Sequence, residues 1–175
     1  MILDGLLQFS GANGDSPTAS GVSTNIIDLH LNSPGIPVLA AGQGARDIGI
    51  GDDPAMKLLV QVTAAFTGLT SLQVGLQGAP DNGSGAPAAF VTWYTTPAVV
   101  LANLGVGARL MDMDVPRPPA GVPEPRFLQL SYTIAGTGTG GTIKAYIVLD
   151  RMDQFYNASN NAIMGGYVPG VVVAN

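Results

Sequence analysis

Asp28 and His30 stand two residues apart on one strand-like segment, and they are the pair in this chain closest to acid–base machinery. A carboxylate beside an imidazole can move a proton from a serine such as Ser23 or Ser33. No G-x-S-x-G turn accompanies them, and the sequence holds one histidine in all, so the pair reads as structural. Asp112 and Asp114 point the same way along another strand, and Asp52-Asp53 adjoin a turn, which invites a two-carboxylate glycosidase reading. A sugar platform needs aromatic faces, yet Trp93 is the one tryptophan and aromatic residues make up 6% of the chain. Surface solvation accounts better for these acids. Asp52, Asp53 or Asp81-Asn82 could hold Ca²⁺, but no D-x-[DN]-x-[DN]-G loop occurs. Gly136-Thr137-Gly138-Thr139-Gly140-Gly141 matches G-x-G-x-x-G, yet it joins two strands where phosphate cradling needs a helix N-terminus. The absence of cysteine removes disulfides and thiolate metal sites. Asn157-Ala158-Ser159 matches the glycosylation triplet without a secretory context. The chemistry expected is therefore that of a chain that is not an enzyme, with no catalytic residues, no cofactor and no metal.

Whatever such a chain does must rest on its surface, which its strands and loops shape. The 175 residues suit one domain, and 46% are hydrophobic. No stretch reaches the ~18 consecutive apolar residues of a membrane helix. The start, Met1-Ile2-Leu3-Asp4-Gly5, has no basic region followed by an apolar one, so no membrane span and no secretory signal are expected, and synthesis is placed in a cytoplasm. The net charge is −5, and the seven basic residues are scattered, which argues against nucleic acid as a partner.

Periodicity supplies the architecture. Met56, Leu58, Val60, Val62, Ala64 and Phe66 alternate with Lys57, Leu59, Gln61, Thr63 and Ala65, the pattern of a strand with one buried face. Leu72, Val74 and Leu76 repeat it, and Thr67-Gly68-Leu69-Thr70 between them reads as a hairpin connection. A second pair runs over 126–134 and 142–151, joined by the glycine-rich 136–141 loop. Further strands are expected at 22–31, 88–95 and 108–115, with loops at 33–37 and 79–85 and a stiff extended connection over 116–125. About eight strands without intervening helices imply an all-β antiparallel sandwich of jelly-roll type. After Arg151 the chain turns polar and then briefly apolar, at Tyr167-Val168 and Val171-Val172-Val173. This predicts a domain over 1–151 and an extended C-terminal arm over 152–175, whose apolar residues could add to a neighbour's sheet edge.

Several segments resemble, in order, one known family. These are Met1-Ile2-Leu3-Asp4 with Leu7-Gln8-Phe9-Ser10, Ser23-Thr24-Asn25-Ile26-Ile27-Asp28-Leu29, and Arg46-Asp47-Ile48-Gly49-Ile50-Gly51. Val60-Gln61-Val62, Leu72-Gln73-Val74-Gly75-Leu76-Gln77, 126–134 and Val148-Leu149-Asp150-Arg151 continue the series. Together they are similar to the capsid cement, or head decoration, proteins of certain tailed bacteriophages, over about residues 1–151. The resemblance implies a jelly roll on the outer surface of an icosahedral head. There it would clamp adjacent major capsid protein subunits, often as a dimer at local twofold positions, with a trimer as the other option. It carries no catalytic residues. Met152 to Asn175 departs from the family's length. The contacts expected on this reading are Leu3, Leu6, Leu7, Phe9, Arg46 and Asp47, with Tyr167, Val171 and Val172 of the arm. A rival reading is a receptor- or carbohydrate-binding jelly-roll module of a phage tail, with Trp93, Tyr94 and the Gly78 to Pro87 loop around a sugar; a glycosidase using Asp112 ranks third.

Overall fold

The structure is a computed structural model, described here for residues 7–29, 56–123 and 125–148, with the backbone of 156–157 and 162–163. In chain order the strands are β1 (Gly21–Val22), β2 (Ile27–Asp28), β3 (Lys57–Ala79), β4 (Val91–Thr95), β5 (Val99–Val100), β6 (Arg109–Asp114), β7 (Phe127–Val148), β8 (Tyr156–Asn157) and β9 (Ala162–Ile163). The alternation that begins at Met56 does what period-two patterning requires: Leu58, Val60, Val62, Leu72, Val74 and Leu76 are all buried, while Thr63 and Thr70 face solvent. Ile143, Ala145 and Ile147 do the same on β7.

β3 and β7 run antiparallel from Lys57↔Val148 to Ala79↔Phe127 and form the spine of the sheet. Each spine strand is flanked by a discontinuous ribbon. Along β3 the chain from 91 to 115 passes as β4, β5, a 3₁₀ turn (Leu101–Asn103) and β6, with Thr96 N–H donating to Val74 O at 2.9 Å and Phe66 N–H to Leu104 O at 3.2 Å between the strands. Along β7 the chain from 8 to 29 passes in the same fashion, by way of Gln8↔Tyr146, Asp15↔Ile143, β1 and β2. The result is an all-β antiparallel sheet of seven strands.

The spine does not stay regular. Between Val62 and Ser71 its register shifts four times, and glycines with positive φ lie there: Gly68 at 82°, Gly136 at 81° and Gly141 at 121°. Such residues supply the bulges that bend a strand. Buried residues from both sides of the bend, Leu58 and Val60 as well as Val74 and Leu76, belong to one core with Phe9, Ile27, Phe66, Leu104 and Leu130. The sheet thus folds over its own middle into two facing layers, a sandwich closed around one apolar interior.

Several expectations need correction. Residues 67–70 are no hairpin and 136–141 no loop; both continue their strands through the bend, because glycine bulges look locally like turns and only lateral pairing separates the two. The single strand expected over 22–31 is two dipeptide strands, interrupted where Ser23 and Asn25 turn to other work: Asn25 N–H donates to Phe9 O at 2.8 Å and its Nδ2 to Ser10 O at 2.8 Å. The strand expected at 88–95 begins at Val91, while that at 108–115 lies close to β6. The connection over 116–125 is not uniformly extended, since Val122 N–H donates to Pro119 O at 3.1 Å and makes a turn. In the expected arm, β8 and β9 pair with each other.

Candidate functional site

The polar interior serves the fold. Asp15 is buried and accepts four hydrogen bonds: from Gly11 N–H at 2.9 Å, Thr24 N–H at 3.2 Å, Thr24 Oγ1 at 2.6 Å and the Tyr132 phenol at 2.7 Å. Burial, and then the adjacent Asp15 charge, push the Tyr132 hydroxyl well above the ordinary tyrosine range. Ser23 Oγ donates to Asn25 O at 2.9 Å and accepts from Leu130 N–H at 3.0 Å. These groups pin the 8–29 ribbon to β7 and leave Ser23 occupied with backbone.

A second polar node closes one end of the sheet. Arg126 clasps Asp28 with Nε at 2.9 Å and Nη2 at 3.0 Å, donates through Nη1 to Asp81, and lies 4.9 Å from the centroid of the Phe127 ring. Asp81 in turn accepts from the amides of Gly83 at 2.6 Å and Gly85 at 3.1 Å. The Gly85 amide first, then Gly83 and Arg126, hold its carboxyl below the ordinary aspartate value. The loop of residues 80–88 is thereby fixed to the start of β7 and to β2.

What remains for an outside partner is the rim. All six exposed large apolar side chains of the described residues lie on the two flanking ribbons: Val22 and Ile26 on one, and Val91, Tyr94, Val100 and Val106 on the other. Val106 is 71% exposed and Val22 56%. The solvent side of the spine near the bend instead shows Thr63, Ala64, Ala65, Thr67, Thr133, Thr137 and Thr139. Exposed apolar groups on sheet edges, where backbone donors and acceptors also face outward, are the surface a protein partner can use. This rim is the candidate site. Composition hinted at it through the valines of 91–106, but periodicity assigns such residues to a buried face and does not reveal that the ribbon is an edge.

The residues proposed from sequence fall as follows. Leu7 is half-buried against the core. Phe9 was expected to touch a partner and instead lies fully buried in the protein's own interior, where it has no surface to offer. Leu3, Leu6, Arg46, Asp47, Tyr167, Val171 and Val172 lie outside the described residues, as do His30, Ser33, Asp52 and Asp53. Asp28 is committed to Arg126. Asp112 pairs with Arg109 at 3.0 Å and Asp114 with Lys57. Asp81 and Asn82 turn inward on their own loop. Among the described residues no three acidic or histidine side chains gather as a metal would require. Trp93 lays its indole on Gly78, where a Cβ would run into Cζ2 and Cε2 and stand 3.0 Å from Cη2. That face is spent on packing and is closed to a sugar.

In comparison with known proteins, a family model described as Bbp16 matches residues 11–147. No curated protein matches the chain.

Proposed function

Because the chain belongs to the Bbp16 family, a phage-related family, we propose that it is a structural protein of the virion: a capsid cement protein that binds the outer surface of a phage head and clamps neighbouring major capsid protein subunits. The observation that carries this reading is the placement, among the described residues, of all six exposed large apolar side chains on the edge ribbons. A clamp needs two apolar margins on a body too rigid to yield, and a two-layer sandwich with an apolar rim on each flanking ribbon offers that. Its energetics follow from linkage. A protein that binds the assembled shell and not its separated subunits stabilises the shell by about 2.7 kcal/mol per site at a hundredfold excess over Kd, given an interface of about 1,000 Å² or more. Self-association as a dimer belongs to the same proposal, as does synthesis in the host cytoplasm before attachment to the completed head.

The test is co-sedimentation of the purified protein with heads that lack it, followed by heating of decorated and bare shells. Saturable binding at a fixed ratio to the major capsid protein, with decorated heads surviving to higher temperature, supports the proposal. Heads that stay bare at saturating protein sink it.

A further inference from the structure

The loop that Arg126 anchors carries Asn82-Gly83-Ser84, and its hydrogen bonds engage the groups that an intramolecular cyclisation would use. Asn82, Gly83 and Ser84 are exposed. Gly83 N–H donates to Asp81 Oδ1 at 2.6 Å, so a carboxylate already accepts from the N–H whose proton must leave as this nitrogen acts as a nucleophile. Asn82 Oδ1 accepts from Ser84 N–H at 2.9 Å and from Ser84 Oγ at 2.7 Å. The amide oxygen on which negative charge would develop therefore faces two donors. Beyond its two chain neighbours, nothing lies within 4 Å of where a Gly83 Cβ would stand, which leaves that side open to water.

We infer that Asn82 is a self-modification site, at which the folded loop promotes formation of its own succinimide. The Gly83 nitrogen bonds to Asn82 Cγ as its proton passes to Asp81, giving a tetrahedral centre whose oxyanion is held by the two Ser84 donors. The Cγ–Nδ2 bond then breaks, and the departing nitrogen takes the proton from Asp81 and leaves as ammonia. A solvent water opens the imide at either carbonyl, producing aspartate or isoaspartate. One water is consumed and one ammonia released. The new carboxylate stands beside Asp81 and places a negative charge at the head of residues 82–108, a stretch that contains no charged residue in the native sequence.

The experiment incubates the intact protein at neutral pH and follows residue 82 by peptide-mapping mass spectrometry and isoaspartate-specific methylation, beside a synthetic peptide of residues 78–88. The expected result is a rate at Asn82 about tenfold higher in the folded protein than in the peptide, a small part of what a positioned base and oxyanion donors can supply. Ser84→Ala, an exposed substitution that leaves the fold intact, should bring the rate down toward that of the peptide. A folded-state rate equal to or below the peptide's, or a Ser84→Ala rate equal to that of the unaltered protein, would overturn the inference.

Discussion

Asp15 ties three separate parts of the chain to one side chain, because its four donors come from positions 11, 24 and 132. A buried carboxylate is tolerated only when its lone pairs are met, and removing it strands the groups that met them. Asp15→Ala should cost about 3 kcal/mol in urea unfolding, since the Tyr132 and Thr24 hydroxyls lose their acceptor together. The raised Tyr132 phenol gives a pH signature whose sign is fixed. Below the ordinary value of 10.0 both states keep the proton and the stability is full. Above it the unfolded chain releases the proton while the folded chain holds it, so stability falls by about 1.4 kcal/mol per pH unit from this group. Urea midpoints measured from neutral to strongly alkaline pH should show that decline, and Tyr132→Phe should be flatter over the same window while being weaker at neutral pH. A Tyr132→Phe profile parallel to that of the unaltered protein would refute the assignment.

Among elements, the decisive feature is that β3 and β7 pass through the bend unbroken. Gly141 has φ of 121°, and a Cβ there would run into the Phe66 ring and stand 2.8 Å from Phe66 Cα. Gly141→Ala combines a disfavoured backbone with a steric clash against the core, and should destabilise by about 2–3 kcal/mol. Gly21→Ala is the matched control, since nothing lies within 4 Å of its added methyl and its backbone is ordinary. It should stay within about 0.5 kcal/mol. Calorimetry on the two variants compares them directly, and equal melting temperatures would show that the bend does not depend on glycine. The hairpin reading of 67–70 fails for the same physical reason: a positive-φ glycine is compatible with a turn or with a bulge, and the 18 paired positions between β3 and β7 decide for the bulge.

For the whole molecule, the exposed rim is the surface open to a partner. Val106→Glu and Val22→Glu change side chains that are already in solvent, so folding stability should move by less than about 0.5 kcal/mol. Head binding should nonetheless weaken, by about tenfold if either valine is an apolar anchor at the interface. Co-sedimentation isotherms read this, and unaltered affinity in both variants would clear the rim of the proposed role. Deleting residues 152–175 tests the expected arm. β8 and β9 pair with each other and with no strand of the main sheet, so the truncated chain should keep its melting temperature while losing self-association or head binding. Binding and association unchanged after truncation would remove the arm from the mechanism.

By itself the sequence determined the all-β class, the inward faces of both halves of β3 and of the later half of β7, and the position of the loop after Ala79. Each of these is legible because period-two alternation and breaker chemistry are local. The ordered segments also pointed to a phage protein, in keeping with the phage-related Bbp16 family, while the capsid cement role belongs to the proposal. Only the tertiary structure decided that the two hairpins are one bent pair of long strands and that 8–29 and 91–115 are edge ribbons. It also showed that Phe9 belongs to the core and that Asp28 and Asp81 share Arg126. Pairing across 98 residues, as between Arg126 and Asp28, leaves no trace in either neighbourhood. Whether an apolar side chain is core or rim depends on which strands lie beside its own, and lateral neighbours are chosen by the folded sheet as a whole.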